Sequence, residues 1–155
     1  MTGSPPTMIE VIEVIEAFLD LVLHRPSPAL GDLARGLDDL AAMVHRVPPG
    51  DGSGDFADPP GQDYKTTYAL IAERFPSLGL YAVADPLSLG DGKAMTGDAV
   101  DDLADIAGEL QEVAWLWRTA GPQLAQWQFH LLYRGHWGQH LHGLRLYLHA
   151  LLVNP

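Results

Sequence analysis

Apolar residues recur at steps of three and four along most of this chain, and proline-rich breaks divide the pattern into segments. Such spacing places apolar side chains on one side of an α-helix, whereas a half-buried strand would alternate apolar and polar residues. Proline ends or kinks a helix because its ring removes a backbone donor and clashes with the preceding turn. The sequence therefore predicts an all-α fold. We expect a bundle of about five helices that forms one domain over residues 1–155, with residues 1–6 disordered.

Prolines, glycines and capping residues predict where each helix begins and ends. Thr7 and Glu10 have the spacing of a capping box at the start of the first helix. Ser27 is a capping residue that precedes Pro28, which fits the first position of the second helix, and Pro48 ends that helix. The predicted helices cover about residues 7–24, 27–47, 63–75, 98–119 and 122–152.

Two connecting segments differ in character. Residues 48–62 are rich in proline, glycine and aspartate, which predicts a mobile surface loop. Residues 76–97 hold too many apolar side chains for a free loop, while their prolines and glycines forbid a long helix. We therefore predict an ordered non-helical strap, packed across the bundle between helices three and four. The apolar residues of this strap are Leu78, Leu80, Tyr81, Val83 and Leu87.

The charge balance and the cysteine count limit the possible partners and chemistry. Twenty acidic and nine basic residues give a net charge of −11 at pH 7. Nucleic-acid binding depends on Lys and Arg placed on phosphates, so this acidic chain should bind neither nucleic acid nor an anionic membrane. No apolar run has the ~18–20 residues of a membrane span, and no signal-peptide pattern is present, so we expect a cytoplasmic protein. The chain has no cysteine, which excludes disulfides and cysteine-based metal sites.

The last predicted helix carries the most informative polar residues. On a helical wheel His136, Trp137 and His140 lie on the face that should meet the core, while His142 and His149 lie on the opposite face. His136 and His140 are one helical turn apart, so their imidazoles can reach one common ligand. The sequence therefore predicts a polar or ligand-binding site on the inner face of this helix.

The fourth predicted helix offers carboxylates to these histidines. Asp102 and Asp105 lie in an acidic stripe opposite its apolar stripe, with Asp101 at the edge. Two imidazoles with one or two carboxylates suit a divalent metal such as Zn, Mn or Fe, and such a metal can activate a water molecule for hydrolysis. One hypothesis is therefore a metal-dependent hydrolase between the fourth and fifth helices. Its metal ligands would be His136, His140, Asp102 and Asp105.

A second interpretation of the same residues needs no ligand. Each imidazole would hydrogen-bond a buried carboxylate or carbonyl group, as buried polar groups generally do, and would hold the two helices in register. We favour this interpretation, and with it a non-enzymatic binding or interaction module. Trp115, Leu116 and Leu146 lie off the predicted core stripes and point to a protein interface, with a homodimer as one form of it.

A third arrangement would use oxygen ligands alone. Glu10, Glu13 and Glu16 repeat at three-residue steps, as do Asp102 and Asp105. All-α nucleotide pyrophosphatases bind magnesium through paired acidic residues at this spacing, because hard cations prefer oxygen. Against this hypothesis, the chain is poor in the Lys and Arg that grip phosphates, and charged stripes are usually the solvated faces of helices.

Several segments together resemble a bacterial family catalogued as domain of unknown function 5063. They are residues 73–81 (ERFPSLGLY), residues 101–106 (DDLADI), Trp127-x-Phe129 and residues 136–140 (HWGQH). The resemblance covers roughly the last ninety residues, and it departs from the family pattern at Ala107 and Glu109, where an aromatic residue and Asp are usual. It implies a small all-helical bacterial protein and carries no activity.

Overall fold

The computed structural model describes residues 4–90 and 92–155. The N-terminal residues 1–3, part of the segment expected to be disordered, lie outside the described residues. Within the described part the chain forms a helical bundle, which confirms the all-α prediction, and a small β-hairpin. The elements are α1 (Met8–Leu23), α2 (Leu30–Arg46), α3 (Tyr64–Arg74), β1 (Leu80–Val83), β2 (Met95–Asp98), α4 (Ala99–Ala120), α5 (Pro122–Leu132), a π-helical turn (Tyr133–Trp137) and α6 (Gly138–Val153). No helix in the described residues is both long enough and apolar enough to cross a membrane.

Both ends of α1 are satisfied by side chains. The capping box predicted at its start is present, with Glu10 accepting a hydrogen bond from the Thr7 N–H at 2.5 Å. At its other end, the Arg74 guanidinium donates to the carbonyl oxygens of Val22 and Leu21 at 2.6 and 3.0 Å, and also to that of Arg25. These carbonyls have no partner within the helix. The C-terminal end of α3 therefore ties down the C-terminal end of α1.

The second helix begins later than its sequence predicts. Ser27 adopts a left-handed backbone with φ of 48°, whereas a helix N-cap takes an extended conformation. Ala29 is the N-cap instead, with φ −92° and ψ 148°, and α2 starts at Leu30. The Ser27-Pro28 start was therefore wrong, because the chain turns sharply at Ser27 before it enters the helix.

The core surrounds α4, which packs against α1, α3, α5 and α6. Its predicted apolar stripe is fully buried at Leu103, Ile106, Leu110 and Val113. Leu116, assigned from the sequence to the acidic stripe, is also fully buried. Because α4 has neighbours on several sides, its buried surface extends beyond a single stripe. Leu116 therefore cannot contribute to a protein interface.

The predicted strap is a two-stranded antiparallel hairpin in which Leu80 pairs with Asp98 and Val83 with Met95. It is non-helical and lies between α3 and α4 as expected, but only part of it packs across the bundle. Leu78 is buried, whereas Leu80 and Leu87 are 69% and 93% exposed. Successive side chains of a strand point to opposite faces, so Leu80 faces away from the side on which Tyr81 and Val83 are half-buried. Leu87 lies in the turn between the two strands.

The fifth predicted helix is divided into α5 and α6 by a π-helical turn at Tyr133–Trp137. In that turn the Gly138 N–H bonds to the Tyr133 carbonyl oxygen, five residues earlier. A Cβ atom at position 138 would lie 2.5 Å from that oxygen, so only glycine allows this approach. A π turn inserts a residue into the helix and rotates the residues that follow it. A uniform helical wheel therefore misplaced His136, whose side chain is 48% exposed and not in the core.

Candidate functional site

His140 on α6 is held by a buried carboxylate of α4. Its Nδ1 lies 2.6 Å from Asp102 Oδ1, and Asp102 is only 5% exposed. This hydrogen bond raises the pKa of His140, an effect that partial burial of the imidazole opposes. The second oxygen of Asp102 accepts a hydrogen bond from the Tyr81 hydroxyl of β1. Both oxygens of this buried carboxylate therefore have partners.

His136 is held in the same way by a different carboxylate. Its Nδ1 lies 2.6 Å from Glu109 Oε1. Burial raises the pKa of Glu109, and the hydrogen bond from His136 opposes that shift. Glu109 Oε2 is buried and has no hydrogen-bond partner among the described residues. Glu109 was not among the predicted site residues, although it follows Asp105 by four residues and so lies on the same face of α4.

The other edges of the two imidazoles face each other. His136 Nε2 lies 2.9 Å from His140 Nε2, and the rings meet edge to face at 84°. Asp105 Oδ2 lies 3.8 Å from the first nitrogen and 3.7 Å from the second. These three ligand atoms lie within 4.8 Å of one another. Asp105, His136 and His140 are called the ligand cluster below.

The hydrogen bonds at Nδ1 decide which ring nitrogen of each imidazole carries the proton. When Asp102 and Glu109 are ionised they have only acceptors, and each Nδ1 then holds the proton of its hydrogen bond. A neutral imidazole then has an unprotonated Nε2 with a lone pair. Two such lone pairs 2.9 Å apart repel each other unless a positive species lies between them. In this tautomeric state an additional proton or a metal ion would meet that need.

The other predicted site residues lie around this cluster. Asp102 is on the Nδ1 side of His140, so its oxygens do not converge with the ligand cluster. Asp101 accepts a hydrogen bond from the Tyr64 hydroxyl. Burial of Asp105 raises its pKa, the charge of Asp101 adds to that rise, and the two histidines oppose it. Trp137 is fully buried and packs against Phe129 and Tyr133, with ring centroids 5.3 and 4.9 Å away.

The glutamates of α1 do not join the aspartates of α4. Glu10 and Glu13 line a cleft that faces α2, and Glu16 lines a different cleft beside Trp115. Asp102 and Asp105 face the histidines instead. The paired acidic sets of a magnesium-dependent pyrophosphatase are therefore not brought together here.

A surface cavity of about 330 Å³ adjoins the ligand cluster. Its lining includes Asp105 and Glu109 of α4, Tyr64 of α3 and residues 59–62. Gln62 anchors that segment by donating to the Gly108 carbonyl oxygen at 2.9 Å. The carboxylate side of the cluster is thus open to a small molecule.

These features define a small all-helical protein with a histidine–carboxylate cluster between its central and last helices. The chain belongs to the family described as Domain of unknown function (DUF5063), whose model matches residues 4–154. The resemblance noted in the sequence is thereby confirmed and extends over the N-terminal helices. No curated protein matches the chain. A crystal structure of protein BF1032 from Bacteroides fragilis has a similar fold, with 16% identity and a TM-score of 0.71, covering 95% of this chain and 92% of that one.

Proposed function

We propose that this protein binds one divalent transition-metal ion through Asp105, His136 and His140. The observation that carries the proposal is the 2.9 Å approach of two Nε2 atoms whose imidazoles both use Nδ1 to bond carboxylates. Histidines that ligate metals characteristically donate their other ring N–H to a carboxylate, which fixes the tautomer and the ring orientation. Asp102 and Glu109 supply that bond on α4, and two lone pairs then point at one place.

The kind of ion follows from the ligand atoms. Two imidazole nitrogens and one carboxylate oxygen suit Zn, Mn or Fe, whereas Mg and Ca prefer oxygen ligands throughout. Charge favours a cation as well. Burial and the neighbouring Asp101 raise the pKa of Asp105, which means that its ionised form is disfavoured in the folded protein. A bound cation offsets both effects.

The proposed role is that of a metal-binding module. It differs from the interpretation favoured in the sequence analysis, in which the two histidines hold the helices in register and bind no ligand. A second candidate, a metal-dependent hydrolase, is favoured by the cavity beside Asp105. Three protein ligands leave a coordination position for water, and a metal lowers the pKa of that water enough to make it a nucleophile. Because Asp105, Glu109 and Glu112 line the cavity, its substrates would be neutral or cationic.

Elemental analysis and calorimetry test metal binding. Untagged protein, purified without added metal, should contain transition metal or should bind one zinc ion per chain. His140→Ala should weaken zinc binding by more than the roughly 10–100-fold that loss of an outer partner costs. His149→Ala, which alters an exposed histidine of the same helix, should bind like the wild type. If the wild type binds no zinc, manganese or iron, the proposal is wrong and the histidines only join two helices.

The hydrolase candidate needs a separate measurement. The zinc-loaded protein would be incubated with neutral and cationic ester and amide substrates, beside a zinc-loaded Asp105→Asn variant. Turnover in the wild type that falls in the variant supports a hydrolase. A wild type that holds zinc and turns over none of these substrates supports a binding module.

A further inference from the structure

Tyr81 of the hairpin, outside the helices that supply the ligands, is linked to the ligand cluster through Asp102. Its hydroxyl donates to Asp102 Oδ2, and Asp102 Oδ1 lies 2.6 Å from His140 Nδ1. Tyr81, Asp102 and His140 therefore form one hydrogen-bonded chain that ends at a nitrogen of the ligand cluster. Burial and the bond to Asp102 raise the pKa of Tyr81, so the phenol stays protonated and remains the donor.

The surroundings of Tyr81 hold its ring in one place. The ring stacks on Tyr147 of α6 with centroids 4.8 Å apart and planes 9° from parallel. Its hydroxyl lies over Gly143 of the same helix, where a Cβ atom would come within 2.9 Å of the hydroxyl oxygen. Gly143 thus leaves the space through which the hydroxyl reaches Asp102. Tyr81 therefore joins the hairpin to α6, and its hydroxyl bonds the carboxylate that holds His140.

We propose that Tyr81 is a positioning residue of the metal site, acting through Asp102 to fix the tautomer and orientation of His140. This inference rests on the proposed metal binding. Without the hydroxyl, the buried Asp102 keeps His140 as its partner but can rotate about its side chain, and it loses one of its two hydrogen bonds. The Nε2 atom of His140 is then less well directed at the ion.

Zinc affinity, measured by calorimetry in three variants, tests this role. Tyr81→Phe removes only the hydroxyl and should weaken zinc binding about 10-fold, the lower end of the effect of an outer partner. Gly143→Ala keeps the tyrosine but displaces its hydroxyl, and should weaken binding in the same way. Tyr147→Phe is the matched control, because its hydroxyl bonds the Gly79 N–H and takes no part in the chain. It should bind zinc like the wild type.

Imidazole NMR separates a positioning role from a general loss of structure. In zinc-loaded Tyr81→Phe the Nδ1–H signal of His140 should shift or broaden, while that of His136, held by Glu109, should stay unchanged. If the wild type binds zinc and Tyr81→Phe binds it equally well with an unchanged His140 signal, the positioning role is wrong and metal binding stands. If the wild type itself binds none of the metals, both proposals are wrong.

Discussion

Replacing His140 by alanine should destabilise the metal-free protein by about 1.5–3 kcal/mol, which is the range of a hydrogen bond to a charged group. The whole side chain of His140 is 24% exposed and that of its partner Asp102 only 7%, so solvent replaces the lost bond poorly. Removing one partner of a fully buried ion pair costs about 3–5 kcal/mol. The cost here is smaller, because Asp102 keeps the hydrogen bond from Tyr81.

Urea denaturation in the presence of a chelator measures this effect. With a slope of about 1–3 kcal/mol per molar urea, the His140→Ala midpoint should fall by roughly 1 M. His149→Ala removes an exposed histidine of the same helix and should change the free energy of unfolding by less than about 0.5 kcal/mol. If His140→Ala unfolds at the same urea concentration as this control, the bond to Asp102 does not stabilise the fold and the reasoning is refuted.

Three further outcomes are expected. The raised pKa of His140 means that the stabilisation added by its positive charge is fully present below its ordinary pKa of about 6.5 and is lost as pH rises through the higher folded value. The urea midpoints of wild type and His140→Ala should therefore draw closer with rising pH, and a constant gap would contradict this. Gly138→Ala should destabilise the protein by about 1–3 kcal/mol in thermal unfolding, because its Cβ would meet backbone at 2.5 Å. Gly135→Ala in the same turn has open space at its Cβ and should not destabilise the protein. Equal melting temperatures of the two variants would argue against the π turn. Arg74→Ala should destabilise the protein by about 1–3 kcal/mol, because its hydrogen bonds to the α1 carbonyls are lost. Arg35→Ala, which breaks an exposed ion pair, should destabilise it by less than about 1 kcal/mol. Similar denaturation midpoints for the two variants would refute the role of Arg74 in tying α3 to α1.

The helices could be predicted from the sequence because their apolar spacing and end signals agree. The α4 stripe at Leu103, Ile106 and Leu110 is buried as expected, and Thr7 with Glu10 caps α1. The start of α2 could not be predicted correctly, because the left-handed turn at Ser27 has no clear sequence signal in a residue that also makes a good cap. The hairpin was missed because four-residue strands are too short to show alternation.

Of the predicted site residues, the structure brings Asp105, His136 and His140 together and places Asp102 on the far side of His140. Spacing alone paired His136 and His140 with the aspartates of α4, and the structure places them together. Which carboxylate bonds which nitrogen depends on the π turn at Tyr133–Trp137, which a uniform helical wheel cannot represent. Glu109 was missed for that reason. Tyr81 was missed because its contact with Asp102 spans 21 residues of sequence and depends on the hairpin.

The expected homodimer stays a prediction, with altered support. Leu116 is in the core, while Leu146 is 71% exposed and Trp115 lines a surface cleft. An interface through α6 would therefore centre on Leu146 and not on the acidic side of α4.

The most direct test of metal binding is anomalous diffraction from crystals of the zinc-loaded protein. The account predicts one strong peak about 2.0–2.2 Å from His136 Nε2, His140 Nε2 and Asp105 Oδ2, with Asp102 and Glu109 still bonded to the two Nδ1 atoms. A peak at the exposed His142 or His149, or an empty ligand cluster with a proton-bridged histidine pair, would contradict it.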